Sequence, residues 1–283
     1  MNDLTTIDNS ELQEIEALLG TQPSSSGGGD GLIRVPELKI NSRSRDKDTK
    51  KAIPEGTFFL QGKDPKVYAE EVMFRPLASH IQYFHWDEID GQRKLINKSV
   101  PVANMREEAI DMCGGLACGM PSWDARKEME RAEAAKWRSM QHRVTRGLVS
   151  YKGKTAAGDE VTVENEPTIM FHKNSTYSGF YNGFIKKLPK GKKMHEYQAK
   201  LTPVYQENGS VVWYTLDYEL DLSNPLSITQ DVFDTMKVFA QTIKEEVAYV
   251  RSAYFEAIKS GAIDQKAIDA LGDSLDDDLE DVA

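Results

Sequence analysis

Three stretches carry residue types that could do chemistry, and each implies a different kind. Gly147 to Thr155, GLVSYKGKT, approaches a phosphate-cradling glycine loop, but that loop needs four residues between its first glycine and the GK pair, and here there are five. It should also open a helix, whereas the following AAGDEVTVEN reads as turn and strand. Cys113 and Cys118, with His80, His85 or His142, could offer zinc ligands. Their four-residue gap is at the outer limit for a structural site, and there is no second cysteine pair. Two reduced thiols packed in a Gly-rich loop of an intracellular protein are the expectation, with no metal. For a metal-dependent nuclease the best carboxylate sets are Glu37 with Lys39, or Asp87, Glu88 and Asp90. Such spacings arise by chance in a chain with 45 acids. With no nucleophile elbow, helical histidine pair or dinucleotide-binding glycine pattern, neither an enzyme nor a cofactor is expected.

The other chemistry is recognition. From Ala134 to Gly158 there is no Asp or Glu, while Lys136, Arg138, Arg143, Arg146, Lys152 and Lys154 are interleaved with Trp137 and Tyr151. After an acidic patch, Asp159 to Glu166, the pattern resumes with Phe171, Lys173, Tyr177, Phe180, Tyr181, Phe184, Lys186 and Lys187. Arg75, Tyr83 and His85 form a second such group. Cations that neutralise phosphates beside rings that stack on bases are what sequence-tolerant single-strand binding requires. Arg138, Arg143, Arg146, Lys152, Lys173 and Lys186 are the expected phosphate contacts, and Trp137, Tyr151, Phe171 and Tyr177 the expected stacking rings. Trp137 to Lys154 is the preferred face, since the Tyr177 to Leu188 segment should give much of its aromatic surface to the core.

A net charge of −10 argues against a polyanionic partner until it is divided along the chain. Residues 1–30 carry six acids and no Lys or Arg, and residues 261–283 carry eight acids against Lys266 alone. Subtraction leaves 31–260 at +3, with 34 bases and 31 acids. Acidic ends flanking a mildly basic body suggest an interaction tail. No apolar run approaches the roughly 20 residues of a membrane helix and no signal-peptide core is present, so a cytoplasmic location is expected.

The elements that must position these residues are mainly strands. A short amphipathic helix after Ser10, carrying Ile15, Leu18 and Leu19, precedes the linker TQPSSSGGGDG and is expected to be tethered rather than built into the core. Leu32 to Lys51 runs from an extended IRVPELKI into basic-leaning SRSRDKDTKK, which could brush phosphates or be a solvated loop. Gly56 to Gln61, Val67 to Phe74, Ile81 to Trp86 and Leu95 to Val102 read as a meander of hairpins. Alternation would put Tyr83 and His85 on one face and Phe84 and Trp86 on the other. Met112 to Met120 is a tight loop and Ser122 to Trp137 a helical connector. Strands follow at Arg143 to Tyr151 and Val161 to Phe171, then a helix at Ser175 to Leu188 with Tyr177, Tyr181, Phe184 and Leu188 on one face. Asn208-Gly209 predicts a hairpin between Met194–Val204 and Ser210–Leu220. A capping box at Ser227 and Gln230 opens one long helix, its stripe running from Val232 through Met236, Phe239, Ile243, Val247, Val250 and Tyr254 to Ile258. A short helix, Asp264 to Leu271, and a disordered acidic end close the chain.

The segments PELKIN, IPEGTFF, VMFRPL, IQYFHWD, CGGLACG, RVTRGLVSYKGK, ENEPTIMFHKNSTYSGFYNGFIKKL and DDDLEDVA together resemble the single-stranded DNA-binding proteins of tailed bacteriophages. The resemblance implies an α+β chain: an antiparallel OB-like barrel with inserted loops, a long C-terminal helix and a disordered acidic tail. Its expected parts are a helix and linker (1–31), a nucleic-acid-binding domain (32–222), the long helix (223–262) and the tail (263–283). It further implies coating of single-stranded DNA in replication and recombination. Asp273, Asp276, Asp277, Asp278, Glu280 and Asp281 would compete for the DNA groove and dock polymerase or helicase-primase partners, with possible homo-oligomers. Two other classes fit the same composition: a virion or tail assembly protein, and a recombination nuclease.

Overall fold

A computed structural model describes residues 35–45, 50–105, 107–173, 176–209 and 211–261, together with Ile15 and Leu19. The linker, the residues of the acidic tail and the segment 264–271 expected to be helical lie outside them. The chain is α+β: a curled, antiparallel-rich sheet with a long C-terminal helix. It divides into two compact units. Among the described residues, one comprises Ile15, Leu19, 35–80 and 142–243, and the other 81–141 and 244–261.

In the first unit the sheet is built from β1 (Glu37–Ile40), β2 (Phe58–Gln61), β3 (Val67–Tyr68), the start of β4 (Val72–Ile89), β6 (Gln141–Thr155), β7 (Glu160–His172), β8 (Ala199–Asn208) and β9 (Val211–Leu220). Their order is β2-β1-β7-β6-β4-β8-β9, with β3 pairing β6. The pairs β1–β2, β3–β6, β4–β8, β6–β7 and β8–β9 are antiparallel, whereas β1 pairs with β7 in parallel, with Glu37 opposite Ile169. Phe58 also bridges Ala69, so β1, β2, β3, β6 and β7 form a closed cycle of pairings. Phe58, Leu60, Val67, Val149, Tyr151, Val163 and Met170 point into its core, which extends to Phe74, Phe180, Phe184 and Leu201. Two glycines of β6 allow close approach of neighbouring strands, Gly153 to β3 within the cycle and Gly147 to β4 beside it. A Cβ on Gly153 would land on the Tyr68 backbone, 2.9 Å from its carbonyl carbon, and one on Gly147 would sit 2.8 Å from the Phe74 ring.

Several expectations need correction. The strands foreseen at Val67–Phe74 and Ile81–Trp86 are instead a two-residue β3 and one 18-residue β4. The helix expected over Ser175–Leu188 is α3 (Tyr177–Gly183) followed by a 3₁₀ turn at Ile185–Lys187. Its buried face is Phe180 and Phe184, whose rings stack 5.5 Å apart, while Tyr181 is exposed. The cap of the long helix α4 (Gln230–Lys259) is Thr229, whose Oγ1 accepts from the Val232 N–H at 3.4 Å, rather than Ser227. Of the expected N-terminal helix only Ile15 and Leu19 are among the described residues, and both are helical and buried.

In the second unit β5 (Gln92–Lys98) pairs with the distal half of β4 across a register shift between His85 and Trp86. The extra residue of that shift is Ile96 on β5, so β4 itself alternates without interruption, and Tyr83 and Phe84 are both buried because β4 is covered on both faces from Ile81 to Phe84. The predicted strand Leu95–Val102 ends early, continuing only as isolated bridges Ile81–Val102 and Ser99–Asp111. Gln82 Nε2 and Lys98 Nζ both donate to Glu246 Oε1, at 3.0 and 3.1 Å. The connector is two helices, α1 (Trp123–Glu128), capped by Ser122, and α2 (Arg131–Arg138). The MCGGLACGM loop winds around buried Asp111, whose carboxylate accepts from the N–H groups of Cys113, Gly115 and Cys118. Burial first, then the Asp111 charge, raises both thiols above their ordinary value, which leaves Cys118 a buried packing group donating to the Tyr83 carbonyl.

Candidate nucleic-acid interface

The outer face of the five-strand cycle carries a row of side chains fixed by register. Lys39 on β1 lies opposite Phe59 on β2. The Phe58–Ala69 bridge sets Phe59 against Tyr68 on β3, and the two rings meet at 5.7 Å between centroids, tilted by 39°. Tyr68 in turn lies opposite Lys154 on β6. Cation, ring, ring and cation thus succeed one another across four strands, at about 4.8 Å per strand. The alternation that buries Phe58 and Leu60 is what turns Phe59 outward.

Beside this row opens a groove of about 450 Å³ lined by Lys39, Arg43, Arg45, Lys66, Phe59 and Tyr68, among others, with no carboxylate in its wall among the described residues. The chain after β1 is held there by Asn41. Its Nδ2 donates to the carbonyls of Arg43 (2.7 Å) and Pro54 (2.9 Å), and its Oδ1 accepts from the Arg43 N–H at 3.1 Å. The guanidinium groups of Arg43 and Arg45 are exposed and meet no acid among the described residues. Carboxylates sit at the margins: Glu37 pairs with Lys39 at 2.9 Å and Glu160 approaches Lys154 at 3.7 Å. Both pairs are substantially exposed, so they cost an incoming phosphate little to displace.

Of the residues expected from sequence in this unit, Lys152 and Lys154 belong to this face, whereas Arg75, Arg143, Arg146 and Tyr151 do not. The single extra residue at the β6–β7 bulge is in β7, at Asn165 (φ +47°), so β6 alternates without interruption. Lys152 and Lys154 therefore occupy one face of β6, and Arg143 shares the other with core residues Val149 and Tyr151. The expected continuous face from Trp137 to Lys154 is split in two. Tyr151 is buried, with its phenol pushed up to about 12 by burial and by Glu166. Arg146 and Tyr83 are buried as well, and Trp137, Phe171 and Tyr177 are half-buried.

Arg143 and Arg75 serve as braces. The Arg143 guanidinium lies 5.3 Å from the Tyr177 ring centroid and its Nη1 reaches Ser79 Oγ at 3.4 Å. Next to it His172 is fully buried and held near 3, by desolvation first and then by Arg143. Arg75 donates from Nε to the His195 carbonyl at 2.7 Å and from Nη2 to that of Ser227 at 2.9 Å, and burial lowers its pKa. Lys173 and Lys186 are exposed, and Lys187 donates to the Tyr218 carbonyl at 3.2 Å. His85 is half-buried in the second unit, and the neighbouring Trp86 ring is exposed, with Arg93 5.3 Å from its centroid. Arg138 ends α2.

The sequence reading did not place Lys39, Phe59, Lys66 or Tyr68 on a binding face, and it held Arg43 and Arg45 only within a segment that could brush phosphates or be a solvated loop. The available signal was the period-two alternation in ELKI and TFFLQ next to the basic SRSR. No group of three or more His, Cys, Asp or Glu side chains converges as a metal site among the described residues. No protein-family model, curated protein or solved structure matches the chain.

Proposed function

We propose that this chain binds single-stranded DNA without sequence preference, along the outer face of the five-strand cycle, and coats it during replication and recombination. The observation that carries this reading is the row Lys39–Phe59–Tyr68–Lys154 beside a groove whose described lining has cations and no acid. Stacking on an exposed ring contributes about 1–3 kcal/mol per base and tolerates any base, because every base has a π-face. A duplex keeps its base faces stacked on one another and offers the ring nothing. The cycle is read as a small barrel of the OB type, which binds oligonucleotides on its strands in this manner.

The protein acts by binding rather than catalysis, in the host cytoplasm. The acidic segment from Asp273 to Asp281 competes with DNA for the cationic groove and passes to replication partners when DNA displaces it. The test is an anisotropy titration with a labelled single-stranded oligonucleotide and with the duplex of the same sequence. Preference for the single strand, weakening steeply with salt, supports the proposal. Equal affinity for the two, or no binding at low salt, removes it.

A further inference from the structure

The last strand of the sheet order, β9, is paired on one side only. Its register with β8 is unbroken from Ala199–Leu220 to Asn208–Val211, and its outer edge pairs with no strand among the described residues. Tyr218 shows which backbone groups face outward. Its N–H donates to Asp217 Oδ1 at 2.9 Å and its carbonyl accepts from Lys187 Nζ at 3.2 Å. Antiparallel pairing alternates, so the N–H and C=O groups of Val212, Tyr214 and Leu216 also point away from β8. Unlike Tyr218, these three meet no side-chain cap among the described residues, and the segment around them reads VVWYTL. Val211 and Val212 are 60% and 50% exposed, and Tyr205 beside them on β8 is 52% exposed.

An edge of β-branched and aromatic residues is a template for another strand. Folded proteins ordinarily blunt such edges with Lys, Pro, a bulge or a covering element, and VVWYTL contains no Lys or Pro and its register no bulge. We infer that Val211–Leu216 is a self-association strand, pairing antiparallel with the same segment of a second copy. Outward-facing residues must oppose one another, which puts Tyr214 opposite its own counterpart and Val212 opposite Leu216. Charge selects this occupant and orientation. Asp217 and Glu219 lie at one end of β9, and antiparallel self-pairing sends them to opposite ends of the shared ladder. A parallel arrangement in register would set like charges side by side.

So short a ladder gives a weak dimer by itself. Copies held on one nucleic-acid strand meet at high effective concentration, and there the same contact becomes decisive. The edge geometry does not depend on the nucleic-acid reading, and the experiment keeps the two apart.

Sedimentation velocity of the full chain, over a wide concentration range in high salt and without nucleic acid, should show a reversible monomer–dimer equilibrium. Val212→Lys adds the natural edge blocker at a half-exposed position. It should weaken association roughly tenfold or more, because the symmetric contact counts each substitution twice. Val212→Thr, which keeps the edge, should associate as the parent does. Hydrogen exchange checks the site with no substitution: the 211–216 amides should gain protection as concentration rises. A chain that stays monomeric, a lysine variant that associates unchanged, or amides indifferent to concentration would overturn the inference. Dimerisation in a chain that binds no oligonucleotide would uphold the edge contact while removing the proposed function.

Discussion

Phe59 and Tyr68 pack ring to ring across β2 and β3, 5.7 Å between centroids, with a lysine on the next strand at either end of the pair. Tyr68 is buried beneath this contact and Phe59 is half-exposed, so the inner ring supports the outer one. A platform held by a neighbouring ring loses little side-chain entropy when a base settles on it. Phe59→Ala should weaken oligonucleotide binding by about 1–3 kcal/mol. Phe59→Trp should retain it. Anisotropy titration checks both, and a far-UV spectrum unchanged from the parent shows that the sheet survives.

Gly153 ties the same face together from below. A methyl group there collides with the Tyr68 backbone rather than with a yielding side-chain tip. Gly153→Ala should cost about 1–3 kcal/mol of stability, read as a lower thermal midpoint, and should weaken DNA binding by moving β3. Gly158→Ser, in a turn where a Cβ would meet nothing within 4 Å, should show a smaller stability loss arising from its positive φ alone.

His172 sets an acid limit. Its imidazole is buried beside Arg143 and stays neutral down to about 3, whereas in the unfolded chain it takes a proton near its ordinary value of 6.5. The folded state therefore binds fewer protons, and the stability contributed above pH 6.5 is lost as pH falls from there toward 3. Urea midpoints measured across that window should fall, and His172→Phe should flatten the dependence. Tyr151 gives the opposite edge. Raised to about 12 from 10, it withdraws stability as pH climbs between those values.

Much of the architecture was legible in the residues. Asn208-Gly209 marked the hairpin of β8 and β9, and the stripe from Val232 to Tyr254 marked α4, because both signals are local. The cycle was not legible. It depends on pairings between residues far apart in sequence, such as Phe58 with Ala69 and Glu37 with Ile169, which no window of sequence contains. The binding face was only partly visible for the same reason. Lys152 and Lys154 lie in a basic run and stood out, while Lys39, Phe59 and Tyr68 come together only once three strands align. Conversely, Arg143, Arg146 and Tyr151 looked like surface groups because composition does not reveal that β6 is covered on both faces from Val144 to Val149.

Removing the tail should strengthen binding if it competes for the groove. A chain truncated after Gly272 loses Asp273, Asp276, Asp277, Asp278, Glu280 and Asp281. At low salt it should bind single-stranded DNA more tightly than the full chain. The two should converge as salt rises and screens the internal competitor. Equal affinity at low salt would show that the tail does not reach the site.

The most direct test of the central claim is the salt dependence of binding in two variants. Each phosphate neutralised contributes about −0.7 to the slope of log affinity against log salt for a single strand. Lys39→Ala with Lys154→Ala removes the two cations at the ends of the row and should make the slope shallower by about 1.4. Arg143→Ala, on the opposite face of β6, should lower the thermal midpoint and leave the slope unchanged. A slope that ignores Lys39 and Lys154 but falls with Arg143 would contradict the assignment of the DNA path to the Phe59–Tyr68 face.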